Sequence, residues 1–154
     1  MRIGTIALAA SALLLAATAA SARHPEAAAG PDLSGVVKGR QAGMRMSGAL
    51  VGGIKAAVDR GDDVKTLAGP ARALAAWAAA VPGMFPEGSN VPPTEAQPNV
   101  WSDWAGFTAK ADAYTAAANK LATAAQAGDT DGVAAALGEV RASCGGCHAT
   151  YKGG

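Results

Sequence analysis

Cys144, Cys147 and His148 stand in the order Cys-x-x-Cys-His, with Gly145 and Gly146 between the two thiols. On a helix, positions three and four apart share a face, so two thiols and an imidazole at this spacing can address one planar ligand. The order is that of c-type haem attachment. Each thiol adds across a porphyrin vinyl group to give a thioether, and the imidazole beside the second anchor reaches the iron. The two glycines weaken a helix locally but let a flat macrocycle approach the backbone. These residues predict one covalent haem c on Cys144 and Cys147, with His148 as an axial iron ligand.

Other uses of the same residues fit less well. A structural zinc site needs about four ligands, and apart from these three the only other histidine is His24, far away in sequence. A thioredoxin-like dithiol expects a strand, a turn and a helix around its cysteines, and no strand-like alternation of useful length occurs here. A disulfide wants Cβ atoms about 3.5–4.5 Å apart, whereas helical neighbours three apart hold them at roughly 5–6 Å.

The opening of the chain points to export. Met1 and Arg2 precede an apolar run from Ile3 to Ala17 and the small residues Ala20-Ser21-Ala22. This is the pattern of a secretory signal peptide, with cleavage expected after Ala22. The run is short for a membrane span, which disfavours an uncleaved anchor. The expected organisation is a leader over 1–22, a flexible segment over 23–31 and one domain over 32–154, located in the periplasm. Without the leader, cationic and anionic residues balance and no block of one sign remains, which argues against nucleic acid as a partner. No later apolar stretch is long enough for stable membrane insertion.

Four segments carry apolar or small residues spaced by three and four, the seam of a packed helix. The first holds Leu33, Val37, Met44, Val51, Ile54 and Val58, with Arg40 and Ser47 as polar exceptions. The second holds Val64, Leu67, Ala71, Leu74, Ala78 and Val81; the third runs through Val100, Trp104, Phe107, Ala111, Tyr114, Ala118, Leu121 and Ala125. The fourth holds Val133, Leu137, Val140, Cys144, Cys147 and Tyr151. Caps are expected at Asp32 or Ser34, Asp62 or Asp63, Asn99 or Ser102, and Asp129 or Thr130. Short turns at Arg60-Gly61-Asp62 and Gly128-Asp129 require antiparallel neighbours. Pro70 either kinks the second helix or marks its start near Gly69. The stretch from Pro82 to Pro98 holds five prolines and is expected to be a loop crossing the bundle's end. The predicted fold is all-α, an antiparallel four-helix bundle. Its abundant alanine thins the core, so a haem is expected to fill it and the apoprotein to be looser.

With these residues in view, the domain resembles the class II cytochromes c, the cytochrome c′ family, whose attachment motif lies on the last helix of such a bundle. Val37 to Met44, with its Arg40-Gln41 pair, is similar to the family's first-helix pattern; Val100-Trp101-Ser102-Asp103 is similar to the start of its third helix, and Cys144 to Lys152 to its closing segment. Two departures stand out: Gly39 replaces a usual aromatic, and Lys152 stands where many relatives have arginine, keeping the charge but losing the bidentate fork.

The resemblance implies that Met44 faces the iron opposite His148. If its sulfur binds, the iron is six-coordinate, its potential is raised, and the protein is an electron carrier working with periplasmic redox partners. If Met44 only packs there, as methionine on an apolar stripe usually does, the site is open to nitric oxide or carbon monoxide. Arg40 is expected either exposed at the bundle's end or paired with a haem propionate. Trp101 and Trp104 could stack near the ring, although aromatics at this spacing more often belong to the core; Trp77, Phe107 and Tyr114 are assigned to it. Enzymatic peroxide chemistry would lack a distal histidine as acid-base partner. The resemblance also allows a homodimer through the first two helices, where Gly48 and Gly52 would permit close contact.

Overall fold

The computed structural model describes residues 32–153. The expected leader at 1–22 and segment at 23–31 lie outside the described residues. Within them, α1 (Ser34–Arg60), α2 (Ala68–Ala80), the short α3 (Asn99–Ser102), α4 (Trp104–Ala127) and α5 (Thr130–Tyr151) follow one another. The four long helices form the expected antiparallel bundle, and no described helix is long and apolar enough to cross a membrane.

The helix ends follow from local chemistry. Asp32 accepts from the Ser34 N–H at 2.9 Å before α1. Gly61 ends α1 with φ 73°, its N–H reaching Val58 O while Asp62 N–H reaches Ala57 O. Gly128 ends α4 in the same way at φ 79°. These are left-handed caps that glycine adopts without a Cβ penalty. Asp63 accepts from Lys65 N–H to start a single 3-10 turn, Val64–Leu67, which runs into α2. Pro70 is the third residue of α2, where an N–H would have no intrahelical partner, so it opens the helix and does not kink it. Asp129 caps α5 through Gly132 N–H at 2.9 Å.

The third helix departs from the expectation. Its cap is Asp103, which accepts from Gly106 N–H at 3.2 Å, and neither Asn99 nor Ser102 does this work. The backbone breaks at Asp103 between α3 and α4. Trp104, placed on the core stripe by its spacing, is 42% exposed as a result.

The core otherwise follows the stripes. Every residue expected on the second stripe is buried, as are Phe107, Ala111, Tyr114, Ala118, Leu121 and Ala125 of α4. Arg40 and Ser47, the polar exceptions of α1, are buried too. Gly43 lets Trp77 lie against α1, because a Cβ there would overlap the indole ring. The segment Pro82 to Pro98 crosses the bundle's end, as expected. It pairs with the C-terminus through Gln97 N–H to Tyr151 O at 2.9 Å and Gly153 N–H to Glu95 O at 2.7 Å, around a bridge between Ala96 and Lys152.

Candidate haem site

A cavity of ≈ 550 Å³ opens between α1, α4 and α5, within the range of sites that hold small ligands. Cys144, Cys147, His148 and Tyr151 of α5 form one wall, and Met44, Ser47, Gly48 and Val51 of α1 contribute to another. Phe107, Ala111 and Tyr114 of α4, with Val81, Phe85 and Val100, complete a mostly apolar interior. The Cys144-to-His148 motif and Met44 therefore line one cavity, as the resemblance implied.

Helix α5 runs unbroken through Gly145 and Gly146, which keeps both thiols and the imidazole on the cavity side. The cysteines are free and half-buried. Burial pushes both thiols up from their ordinary pKa, and at Cys147 the neighbouring Cys144 adds to the rise while Lys110 opposes it. Among the described residues no three His, Cys, Asp or Glu side chains come together as a metal cluster. The residues fit a flat, largely apolar group anchored through two sulfurs and one imidazole.

The last turn of α5 is held from two sides. Tyr151, three residues after His148, donates its hydroxyl to Asp103 Oδ2 at 2.6 Å, and its ring meets Phe107 edge-on at 5.4 Å. That hydrogen bond to a carboxylate pushes the Tyr151 pKa up to about 12. Gly106 makes this possible, since a Cβ there would overlap both the Asp103 carboxylate and the Tyr151 hydroxyl. Asp103 thus caps α4 and anchors the helix that bears His148.

Arg40 lines the cavity but is only 3% exposed, which overturns the solvent-exposed expectation. Its Nη1 donates to Ser89 Oγ at 2.8 Å and Met84 O at 3.4 Å, and Nη2 to Ser89 O at 2.9 Å and to Thr94 Oγ1. The guanidinium also lies 4.6 Å from the Phe85 ring centre. Burial draws its pKa down from the ordinary value. No carboxylate pairs with it among the described residues, and an anionic group entering the cavity would complete the site.

Trp101, expected as a ring contact, is not on the cavity wall. Its Nε1 donates to Phe85 O and Pro86 O at 3.1 Å each, so it supports the loop residue Phe85, which does face the cavity. Met84 lies 3.6 Å from where a Gly39 Cβ would stand, placing loop bulk beside the position that lacks the usual aromatic. Tyr114 was expected in the core and is also a cavity wall. Its buried hydroxyl has no hydrogen-bond partner among the described residues. Burial pushes its pKa up to about 12, with nearby Ser47 opposing and Cys144 adding. The sequence reading missed Phe85, Ser89 and Thr94 as parts of the site: they lie in an aperiodic loop and carry no spacing signal. Asp103 was visible in the third-helix pattern, but its partner Tyr151 is remote in sequence.

Comparison with known proteins agrees with this geometry. The family pattern described as Cytochrome C′ matches residues 35–152. The chain is 51% identical over 59 residues to a cytochrome c′ of Rubrivivax gelatinosus, covering 38% of this chain and 46% of that protein; the match thus spans about half the length of that relative. It is 32% identical over 122 residues to a cytochrome c-556 of Agrobacterium tumefaciens (strain II Chrys), covering 77% of this chain and 98% of the relative. Its fold is similar to that in a nitric oxide complex of a mutant cytochrome c prime from Alcaligenes xylosoxidans. There the TM-score is 0.73 at 31% identity, over 79% of this chain and 96% of the other.

Proposed function

The chain belongs to the cytochrome c′ family, and on that premise we propose that it is a periplasmic mono-haem electron carrier with Cys144 and Cys147 as thioether anchors and His148 and Met44 as axial iron ligands. The observation that carries this reading is the placement of both thiols, the imidazole and Met44 on the walls of one apolar cavity. The haem c of this family supplies a one-electron ferric/ferrous couple when bound. The chain's own part is to hold the surroundings still. Phe107, Ala111 and Val100 exclude water, the Tyr151–Asp103 bond fixes the turn behind His148, and Arg40 takes a propionate carboxylate. A site that needs no rearrangement between oxidation states favours fast electron transfer.

The test is an optical spectrum of holoprotein made in a host competent for cytochrome maturation. The carrier reading requires a low-spin spectrum with a sulfur-to-iron band that vanishes in Met44→Ala. A second reading, a five-coordinate protein that binds nitric oxide or carbon monoxide, draws support from the likeness to a nitric oxide complex. It requires a high-spin spectrum and ready gas uptake by the reduced form. Export rests on the leader pattern and is tested by the mass of the mature chain in a periplasmic extract. Self-association through α1 and α2 draws support from the open glycines Gly48 and Gly52, whose Cβ positions meet nothing within 4 Å; sedimentation of the holoprotein tests it.

A further inference from the structure

Between Asp32 and Gly153 cationic and anionic residues are equal in number, yet they are unevenly placed. Arg45 of α1, Lys110 of α4 and Arg141 of α5 are exposed and all line the mouth of the cavity. None forms an ion pair among the described residues. Glu95 is the one carboxylate on the described wall, and it is already paired with Lys152 at 3.2 Å. At the opposite end of the bundle the charges are mixed: Asp59 and Asp62 are paired with Lys55 and Arg60, and Asp63, Asp129 and Asp131 share that end with Lys65, whose side chain packs on Gly128. The cavity mouth is thus a patch of cations without carboxylate partners among the described residues, apart from the Lys152–Glu95 pair. The two propionates of a haem reduce the cationic surplus there without reversing it, because Arg40 and Lys152 also stand on the wall.

We propose that this mouth, marked by Arg45, Lys110 and Arg141, is the surface on which an acidic face of a redox partner protein docks and through which the electron passes. The proposal rests on the electron-carrier reading above. Cations from three separate helices converge on one opening, whereas a merely solvated charge distribution would scatter them. With the charges between Asp32 and Gly153 balanced, such a patch acts by orienting a partner at close range, raising the rate of productive encounter and losing force as salt screens it.

The experiment is stopped-flow oxidation of the ferrous holoprotein by hexacyanoferrate(III), an anion, and by tris(phenanthroline)cobalt(III), a cation. In each case one electron leaves the haem iron and reduces the complex by one, with no bond made or broken. At about 10 mM ionic strength, Lys110→Glu and Arg141→Glu should each slow the anionic oxidant about ten-fold and speed the cationic one comparably, the differences fading in high salt. Lys65→Glu and Arg72→Glu change the net charge equally but away from the mouth, and should leave both rates near wild type. Poly-L-glutamate should inhibit the anionic oxidant in wild type and lose that effect in the Lys110 and Arg141 variants. Equal responses from mouth and remote variants, or indifference to poly-L-glutamate, would overturn the proposal while leaving the carrier reading intact. Slow, salt-independent oxidation by both complexes would overturn both.

Discussion

Arg40 of α1 donates twice to Ser89, once to the hydroxyl at 2.8 Å and once to the carbonyl at 2.9 Å. Both residues are buried, and the two bonds tie the first helix to the loop that closes the cavity. Removing the guanidinium would leave the buried Ser89 acceptors and the Met84 carbonyl without their donor. Arg40→Ala should therefore cost roughly 2–4 kcal/mol of holoprotein stability by urea unfolding. Arg40→Lys should recover only part of it, because an ammonium cannot reproduce the planar fork. Loss below about 0.5 kcal/mol, the usual range for surface changes, would show that the loop is held by other means.

The two buried tyrosines set the alkaline limit. Tyr151 is raised to about 12 by its bond to Asp103 and Tyr114 to about 12 by burial, against an ordinary value of 10.0. A raised folded-state pKa means that these groups contribute stability fully below pH 10 and lose it as pH climbs toward about 12. Urea midpoints measured across that window should fall with pH in wild type. Tyr151→Phe and Tyr114→Phe should each flatten the fall by the equivalent of a single proton. An unchanged slope in both variants would remove the tyrosines as its cause.

Gly43 faces the indole of Trp77 so closely that a methyl group cannot enter without displacing the ring. Gly43→Ala raises helix propensity, but the overlap should prevail and destabilise the protein by about 1–3 kcal/mol. Gly138→Ala, on the exposed face of α5 where an added Cβ meets nothing within 4 Å, should be neutral or slightly stabilising in a thermal scan of the two variants, which makes it the internal control.

Local periodicity carried the fold well where one helix decides its own burial. All six apolar positions of the second stripe are inside, and Asp63 and Asp129 cap where their side chains predict. It failed at Asp103, where a backbone break shifts the face of Trp104 without altering the spacing of apolar letters. It also could not say why Arg40 is buried. Its partners Ser89 and Thr94 come from a loop far along the chain, and long-range hydrogen bonds leave no local pattern. The chemical core of the site was legible because Cys144, Cys147 and His148 are neighbours on one helix. The cationic mouth was not, since Arg45, Lys110 and Arg141 meet only after three helices pack.

Haem removal should be more than the loss of a chromophore. Without its haem, the mostly apolar cavity of ≈ 550 Å³ between α1, α4 and α5 leaves its walls wetted and short of packing partners. Protein made without haem attachment should therefore lose fixed packing around α1 and the loop, exchange its amides there rapidly and bind a hydrophobic dye. Cooperative unfolding with native-like protection would show instead that the cavity collapses without loosening the bundle.

Met44 decides between the two functions through its competition for the sixth position. If its sulfur is bound, the gas-accepting form is a minor population, and apparent affinity is lowered in proportion to that population. For a minor state at 0.1–10%, Met44→Ala should raise carbon monoxide affinity of the ferrous protein by roughly ten-fold or more. Its reduction potential should fall as the thioether that favours ferrous iron is lost. If Met44 merely packs over an open site, the same substitution removes a steric wall, the potential stays near wild type and the spectrum is already high-spin beforehand. Gas titration and potentiometry on one pair of proteins therefore separate the readings, because ligation requires affinity and potential to move together and packing does not.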